Sequence, residues 1–446
     1  MSSTRRWPTG TRLPPGSVGL PLVGETPAFV RNPYRFLEVR HRVHGDVFKS
    51  NVARRRVVFL SGIEGASAFY DSENIARDDA HPYLMTDMFG GTNFEMYDGP
   101  RHLGLKTIAL EAFDKAALAG YLPDLQLAIE TWLERHADGT SFPAMTALRG
   151  LAIDAICRNV MGLGPGPETE MITRDYGLLL AGIAATVPVR IPGTTYGRAM
   201  MARDRLLARI RTMVEERRAR PRADGLSRIL SATAPDGRTY TDDEAVLEVH
   251  HIVVAGFVVY AHMAEVVRRL AMQPDLRARC AEEVARHAPD GPLSMEGLSR
   301  IATCAAVVME AKRLVPLVPL AFGRARRTFM CDGYEVPEGC RVWLALHLIN
   351  RDPSIYAEPE RFDPDRFGPG REEHRKHPFA FIPQGAEPPT SHRCLGLEYS
   401  TLLTLAFLAV LVRGYDWRLP RQRLGLDWRK RPPEPRDGLM VQLRPV

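Results

Sequence analysis

One segment constrains the fold of this chain more than any other, a helical pattern of about thirty residues from Asp243 to Met272. It begins after Thr241 with acidic residues in its first turn, as helix starts do, and only Gly256 interrupts it. At 1.5 Å per residue such a helix is roughly 45 Å long. Its middle is apolar on most sides, so we expect it to be buried there. A chain of 446 residues can build a core around this helix and enclose a cofactor.

The rest of the chain is predicted to be mainly α-helical with a smaller β-sheet region. Val and Phe enrichment around an Arg-rich turn predicts two strands within Val47 to Leu60, and short strands are expected in 328–345. Apolar spacing near 3.6 predicts further helices over 102–113, 122–137, 143–161, 197–219, 299–315 and 395–412. We therefore expect a single domain over 1–446, β-rich at about 13–75 and helical over about 100–446.

Composition excludes several classes of protein. The net charge of +6 is spread along the chain, whereas nucleic-acid binding needs a concentrated basic face, so no nucleic-acid partner is expected. Six cysteines without CxxC spacing argue against a disulfide framework and a zinc site, and they fit a reducing cytosol. With no apolar run of 18 residues and no apolar region after MSSTRRWPTG, the sequence predicts a cytoplasmic protein without a membrane span or secretory signal.

A Gly/Pro-rich loop, FIPQGAEPPTSHRCLG at Phe381 to Gly396, carries the clearest chemical signal. It places Cys394 at the start of a predicted helix, where the helix dipole and free backbone N–H groups favour thiolate over thiol. Arg393 and His392 add positive charge, and Gly396 leaves room for a flat cofactor. A thiolate held in this way suits axial ligation of haem iron. The alternative is a buried structural cysteine.

A second constellation is Glu310 and Arg313, which share a helix face at i and i+3 and can form an ion pair. The flanking residues are apolar, which indicates burial. Because a buried ion pair needs further hydrogen-bond partners, Arg361 in the EPERF loop is the predicted third member.

Together these motifs resemble the cytochrome P-450 superfamily of haem-thiolate enzymes. The resemblance covers nearly the whole chain and includes an LPPG start, YDGPRHLGLK at 97–106 and RDPSIYAEPERFDPDRF at 351–367. It lies in the order of the motifs, which are ExxR (Glu310, Arg313), PERF (Pro359 to Phe362) and FxPxG with HxCxG (Phe381 to Gly396). It implies the cytochrome P-450 fold, haem b as cofactor and oxidoreductase activity.

The resemblance also assigns residues by matching position. Cys394 corresponds to the proximal iron ligand, and His102 and Lys106 correspond to the pair that contacts the haem propionates. Lys stands where Arg is usual, so the charge is kept but bidentate binding is lost. Arg324 and His392 match two further propionate contacts.

Two of these assignments have alternatives, and three further residues match a structural triad of the family. His102 has a surface histidine as its alternative, and the register of Arg324 is open because Arg326 and Arg327 lie close by. Glu310, Arg313 and Arg361 match the triad that steadies the cysteine loop.

The resemblance places the helix of Asp243 to Met272 across the distal face of the haem, and this distal helix departs from the family. Oxygen-activating members carry AGx(D/E)T, an acid and an alcohol that relay protons, whereas this chain reads Ala255-Gly256-Phe257-Val258-Val259. An alignment with the family motif shifted by one residue places Phe257 and Val258 at these positions and again gives neither an acid nor an alcohol. Either water supplies the protons that cleavage of the O–O bond needs, or the enzyme does not use the ordinary dioxygen cycle. His251, with His250 beside it, is a candidate acid–base group one turn earlier, and the alternative is that both face other helices or solvent.

The cysteine loop departs as well. Gln384 replaces the usual Phe, and PQG with HRC resembles the fatty-acid peroxygenase branch, which uses hydrogen peroxide. The Arg-Pro pair of that branch is absent, since Val254-Ala255 occupies its place.

Apolar segments at 81–97, 176–196 and 317–322, together with the region near Met440, predict a hydrophobic small-molecule substrate of secondary-metabolite or lipid type. We therefore expect a monooxygenase served by a ferredoxin-type redox partner. The alternatives are a peroxygenase, a dioxygen-independent haem-thiolate catalyst and a haem-fold protein that binds a ligand without turnover.

Overall fold

The computed structural model describes Trp7, residues 12–183, residues 189–386, Pro388 and residues 391–446. Most of these residues are helical. In chain order the α-helices are α1 Thr26–Arg31, α2 Pro33–His44, α3 Gly62–Tyr70, α4 Tyr83–Phe89, α5 Gly99–Leu110, α6 Lys115–His136, α7 Ala144–Met161, α8 Pro167–Ile183, α9 Thr195–Ala219, α10 Gly225–Ser231, α11 Asp242–Gly256, α12 Tyr260–Met272, α13 Pro274–His287, α14 Met295–Arg300, α15 Ala302–Leu314, α16 Leu346–Ile349 and α17 Leu397–Gly414. Short 3₁₀ turns occupy Phe94–Met96, Phe257–Val259, Pro364–Phe367 and Glu373–Arg375.

The strands form one larger sheet and three small ones. They are β1 Gly16–Ser17, β2 Val47–Val52, β3 Arg55–Leu60, β4 Ile75–Ala76, β5 Ser141–Pro143, β6 Ala321–Ala325, β7 Phe329–Cys331, β8 Tyr334–Val336, β9 Arg341–Leu344, β10 Tyr415–Arg418, β11 Leu426–Asp427, β12 Glu434–Pro435 and β13 Met440–Pro445. The larger sheet has the order β1-β2-β3-β9-β6-β4, and the others are β10-β13-β5, β11-β12 and β7-β8. The predicted mainly α fold with a smaller β region is confirmed.

The hairpin of β2 and β3 confirms the two strands predicted around an Arg-rich turn. The strands pair antiparallel with Val47 opposite Leu60. Ala53 and Arg54 make the turn in left-handed backbone conformations, with φ of 51° and 62°. β3 then pairs in parallel with β9, so that the N-terminal hairpin joins a strand nearly three hundred residues later.

Among the helices that were not predicted, two of the longer ones, α8 and α13, each begin at a proline. α8 starts at Pro167, inside the PGPE sequence at 165–168, and α13 starts at Pro274. Proline fits the first turn of a helix because the N–H that it lacks would have no intrahelical partner there. The prolines therefore mark helix starts.

The predicted thirty-residue helix is divided in two. Thr241 and Glu244 form a capping box at its start, as its sequence suggested, but the α-helix ends at Gly256 and resumes at Tyr260 after a 3₁₀ turn. Gly256 passes so close to α7 that an added Cβ would lie 2.0 Å from Cδ1 of Ile156. The glycine therefore permits close packing of the two helices at the break.

Two helical segments, Asp242–Met272 and Leu397–Gly414, are long and apolar enough to span a membrane by length and composition alone. Their most apolar windows are 78% and 72% buried within the protein. Core helices of soluble proteins have the same properties, so the expectation of no membrane span stays a prediction.

The main hydrophobic core lies among the long helices α6, α7, α11, α12, α15 and α17. A second core packs α3 and neighbouring loops against the larger sheet. The start of α17, which carries the cysteine loop, meets α5 and the end of α15 at one side of the main core.

Candidate functional site

The loop before α17 presents the Cys394 side chain at the helix start. The backbone N–H of Cys394 donates to the Gln384 carbonyl at 3.0 Å, and Gly385 makes the turn with a φ of 85°. Gly396 faces open space, since an added Cβ would meet no atom within 4 Å. The space expected beside the cysteine is therefore present.

The electrostatic balance at Cys394 differs from the one expected. Burial raises the pKa of the thiol, and the Glu95 carboxylate adds to this effect. The backbone N–H of Gly396 and the cations of Lys106 and Lys312 oppose the rise without cancelling it. The helix start predicted to favour thiolate is in place, but the loss of water outweighs it in the protein alone.

His102 on α5 lies directly against the cysteine loop. Its ring stacks on the ring of His392, with the centroids 3.8 Å apart. Nδ1 of His102 donates to the Phe94 carbonyl at 2.7 Å, whereas Nε2 is buried and has no hydrogen-bond partner among the described residues. His102 is thus a buried residue with one free ring nitrogen, which excludes the surface alternative.

Lys106, one turn further along α5, binds the backbone of the cysteine loop. Its ammonium donates to the carbonyls of Ser391 and Arg393 and lies 4.0 Å from the Glu95 carboxylate. Burial lowers the pKa of Lys106. Two of its three N–H groups therefore hold the loop in place.

Three arginines, Arg324, Arg326 and Arg327, lie close together near the end of β6, and they differ in their hydrogen-bond partners. Arg326 binds Asp98 at 2.8 Å, and Arg327 donates to Asn74 at 3.1 Å. For Arg324, no hydrogen-bond or ion-pair acceptor is found in the part of the chain that the structure describes. Arg324 is therefore the one of the three whose guanidinium is not used within the described protein.

The ion pair predicted on α15 is present and fully buried. Nε of Arg313 lies 2.7 Å from Oε2 of Glu310, and Nη2 of Arg313 lies 2.8 Å from Oε1. The backbone N–H of Asp363 also donates to Oε1 of Glu310, at 3.0 Å. Glu310 thus ties α15 to the loop that precedes the cysteine segment.

The third member of this cluster was predicted wrongly. The Arg361 side chain is 66% exposed and pairs with Glu358 at the surface. Arg366 takes the predicted place, because the 3₁₀ turn Pro364–Phe367 packs on α15 and directs Arg366 inward, where its Nε lies 3.1 Å from Glu310. Arg361 contributes only its carbonyl, which accepts from Arg313 and Arg366. The RDPSIYAEPERFDPDRF segment contains two RF pairs, and the second supplies the buried arginine.

The distal helix has an accessible apolar face. Ala255 is exposed and Gly256 and Val258 are partly exposed, whereas Val254, Phe257 and Val259 are buried. His251 lies one turn before Ala255 on the same face. Residues 255 to 259 contain no carboxylate or hydroxyl group. Neither alignment with the family motif therefore places an acid or an alcohol on this face.

The two adjacent histidines of α11 have different surroundings. His250 points into the core, contacts the Met88 carbonyl at 3.2 Å, and burial lowers its pKa to about 4. His251 donates from Nδ1 to Glu248 at 2.9 Å, and its ring packs on Phe94. Burial opposes protonation of His251, but the Glu248 carboxylate outweighs it and raises the pKa of His251. His251 is therefore the residue of the pair suited to carry a proton.

Asp87 links the segments expected to contact substrate. This buried carboxylate on α4 accepts hydrogen bonds from Arg190, from Tyr196 and, at 3.2 Å, from Nη1 of Arg203. Residues 184–188, within the predicted substrate segment 176–196, lie outside the described residues. Asp87 thus connects α4 to the start of α9 across the expected substrate region.

The family model for cytochrome P-450 matches residues 14–432. The chain belongs to the cytochrome P-450 family. It is therefore an oxidoreductase of the haem-thiolate class with haem b as cofactor, as the resemblance implied. The family generally binds hydrophobic substrates and uses redox partners.

Individual P-450 proteins are similar over nearly the whole chain. Abscisic acid 8′-hydroxylase 2 of Arabidopsis thaliana is 26% identical over 98% of this chain and 90% of its own length. The retinoic-acid-bound cyanobacterial CYP120A1 structure has a TM-score of 0.89 and 25% identity, and the match covers 98% of this chain and all of that one. Cytochrome P450EX alpha (CYP152N1) with myristic acid has a TM-score of 0.79 and 26% identity over 95% and 97% of the two chains.

The residues present fit a haem. A cysteine sulfur stands at a helix start beside the open surface of Gly396, the buried Nε2 of His102 lacks a partner within the described residues, and Arg324 has no acceptor there. The donor set combines one soft sulfur ligand for iron with cationic and neutral N–H groups for the acidic propionates. The accessible Ala255 adds an apolar surface on the distal helix.

Proposed function

We propose that this P-450 oxidises a hydrophobic small molecule on the accessible face of its distal helix. The observation that carries the proposal is the exposure of Ala255 and the partial exposure of Val258 in the mostly buried middle of this helix. An apolar surface of this kind accepts apolar ligands, because their transfer from water is favourable. The cyanobacterial structure solved with retinoic acid and the plant abscisic acid hydroxylase support a substrate of secondary-metabolite or lipid type.

We assign the cofactor contacts by residue. Cys394 is the proximal ligand, and His102, His392, Arg324 and Lys106 are the propionate contacts. His102 offers its free Nε2, and Arg324 offers an unused guanidinium in the described protein. Lys106 has one N–H left after binding the two carbonyls of the cysteine loop. When bound, the haem supplies the oxidising chemistry, while the protein orients the substrate and excludes water.

The ligand assignment has a direct spectroscopic test. The reduced protein with carbon monoxide should show the Soret band of a thiolate-ligated haem, and Cys394→Ser should abolish it. Cys157→Ser, which changes a buried cysteine of α7, is the matched control and should keep the band. A band that survives in Cys394→Ser would refute the assignment.

As the first candidate reaction we propose monooxygenation in the cytoplasm, with electrons from a ferredoxin-type partner. His251 is the candidate proton carrier, since Glu248 holds its ring and favours its protonated form. Small molecules that shift the haem spin state should be converted to product with NAD(P)H, a ferredoxin reductase and a ferredoxin. Product with peroxide and none with this electron supply would contradict monooxygenation.

A second candidate is a peroxygenase or a catalyst that does not need dioxygen. The absence of an acid and an alcohol from 255–259 favours it, and so does Gln384 in the cysteine loop. The similar structure with myristic acid supports a fatty-acid-like ligand. Turnover with hydrogen peroxide alone identifies the peroxygenase. A spin-state shift without product under either oxidant identifies the third candidate, a binding protein without turnover.

A further inference from the structure

Lys312 is a buried cation beside the cysteine loop. It belongs to the ExxR motif on α15 and is only 2% exposed. Its Nζ donates to Oγ1 of Thr401 at 2.7 Å, to Oγ of Ser400 at 3.1 Å and to the Leu397 carbonyl at 3.5 Å. All three acceptors are neutral and belong to the first turn of α17, directly after Cys394.

A buried ammonium without an anionic partner is costly, because it loses its hydration and gains no opposite charge. Within residues 12–183, 189–386, 388 and 391–446, no carboxylate forms a salt bridge with Lys312. Burial accordingly lowers the pKa of Lys312 to about 8, and the Cys394 sulfur, when anionic, and the exposed Glu398 carboxylate oppose that decrease. Lys106, the other buried lysine near the loop, differs because it faces Glu95.

Gln384 connects this cation to the sulfur. Its Nε2 lies 3.2 Å from Oγ of Ser400, the atom that also accepts from Lys312, and 3.7 Å from Sγ of Cys394. An amide carries two N–H donors, so one can serve Ser400 and the other the sulfur. Ser400 itself donates to the Leu397 carbonyl at 2.9 Å, which fixes its oxygen between Lys312 and Gln384. The usual Phe at this position has no donor to offer.

We propose that Lys312, Ser400 and Gln384 form a buried proximal support that stabilises negative charge on the Cys394 sulfur and raises the reduction potential of the haem. The inference rests on the proposed function, in which Cys394 binds the iron. A nearby cation and an N–H donor withdraw electron density from the thiolate, so the sulfur donates less to iron. Lys312 and Gln384 are therefore positioning residues, which act on the haem through Cys394.

The test uses the haem-loaded protein and two readouts besides activity, the potentiometric midpoint and the Fe–S stretching frequency by resonance Raman spectroscopy. Lys312→Met and Gln384→Leu should each make the midpoint more negative and raise the Fe–S frequency. Lys312→Arg keeps the charge and should retain most of the wild-type potential. Lys115→Met, which removes an exposed lysine at the start of α6, is the control for loss of charge alone.

Because both residues converge on Ser400, the double variant should shift the midpoint by less than the sum of the single shifts. If Lys312→Met does not load haem, Gln384→Leu decides the question by itself. Midpoints and Fe–S frequencies equal to those of Lys115→Met in the loaded variants would overturn the inference. A wild-type protein without the thiolate Soret band would instead overturn the proposed function.

Discussion

Arg366 donates from Nε to Oε1 of Glu310 at 3.1 Å, and both side chains are fully buried. Nη1 of Arg366 also lies 2.5 Å from Glu373 and 3.0 Å from the Ala357 carbonyl. Glu310 in turn binds Arg313 through both of its oxygens. This cluster joins α15 to the loop that leads to the cysteine segment, so its charges are balanced only when the whole set is assembled.

Arg366→Ala should destabilise the protein strongly, because it leaves Glu310 and Glu373 buried with one cation fewer. Breaking a buried ion pair typically costs about 3–5 kcal/mol. Arg361→Ala is the matched control, since its exposed side chain should contribute at most about 0.5 kcal/mol. Urea unfolding measures both changes in free energy. Equal losses for the two variants would contradict the assignment of Arg366 to the cluster.

His251 should make the stability depend on pH through Glu248. Because the pKa of folded His251 is raised above its ordinary value of about 6.5, its contribution is fully present below the unfolded pKa and is lost as pH rises through the folded pKa. The groups that face the ring include Glu248, Glu95 and Lys106. Glu248→Gln should therefore lower the unfolding free energy at acidic pH by more than at pH 8.

The measurement for His251 is a set of unfolding curves from pH 5 to pH 8, supported by NMR titration of the ring. Asp243→Asn, which changes an exposed carboxylate of the same helix, is the control and should give a nearly pH-independent difference. A Glu248→Gln effect that grows as pH rises would contradict the raised pKa.

His102→Ala should release haem faster if Nε2 holds a propionate. Loss of one hydrogen bond to a charged group costs about 1.5–3 kcal/mol, which corresponds to roughly tenfold to a hundredfold faster dissociation. Transfer of haem to apomyoglobin measures the rate. Thr107→Ala on the same helix removes only a bond to the Leu103 carbonyl and should leave the rate unchanged. Equal rates for the two variants would exclude a propionate contact of His102.

Asp87→Asn should loosen the link between α4 and the start of α9. The carboxylate holds two arginines and a tyrosine by charge-assisted hydrogen bonds, which are stronger than those to a neutral amide. We expect faster association of imidazole in stopped-flow measurements, with an unchanged absorption spectrum of the final complex. Glu215→Gln, which changes an exposed carboxylate on α9 outside this cluster, is the control. An association rate equal to that of the control would show that this link does not limit ligand entry.

Local patterns were enough for much of this protein. The hairpin at Val47 to Leu60 and the start of the distal helix at Thr241 depend on residues close together in the chain, and both predictions are confirmed. The predicted helix through Gly256 was only partly right, because a 3₁₀ turn follows Gly256 at the point where α7 approaches closely. Spacing along one segment does not reveal how closely another helix approaches it.

The sequence by itself determined the family and therefore the haem, because the cysteine loop and the ExxR motif are short segments with fixed internal spacing. Only the tertiary structure shows that Arg366, and not Arg361, belongs to the buried cluster. It also shows that His251, and not His250, contacts a carboxylate, and that Lys312 and Gln384 both contact Ser400. These outcomes depend on which side chains are buried together and on which opposite charge or hydrogen-bond donor each of them then contacts. That information arises from contacts between segments far apart in the chain, which no local pattern contains.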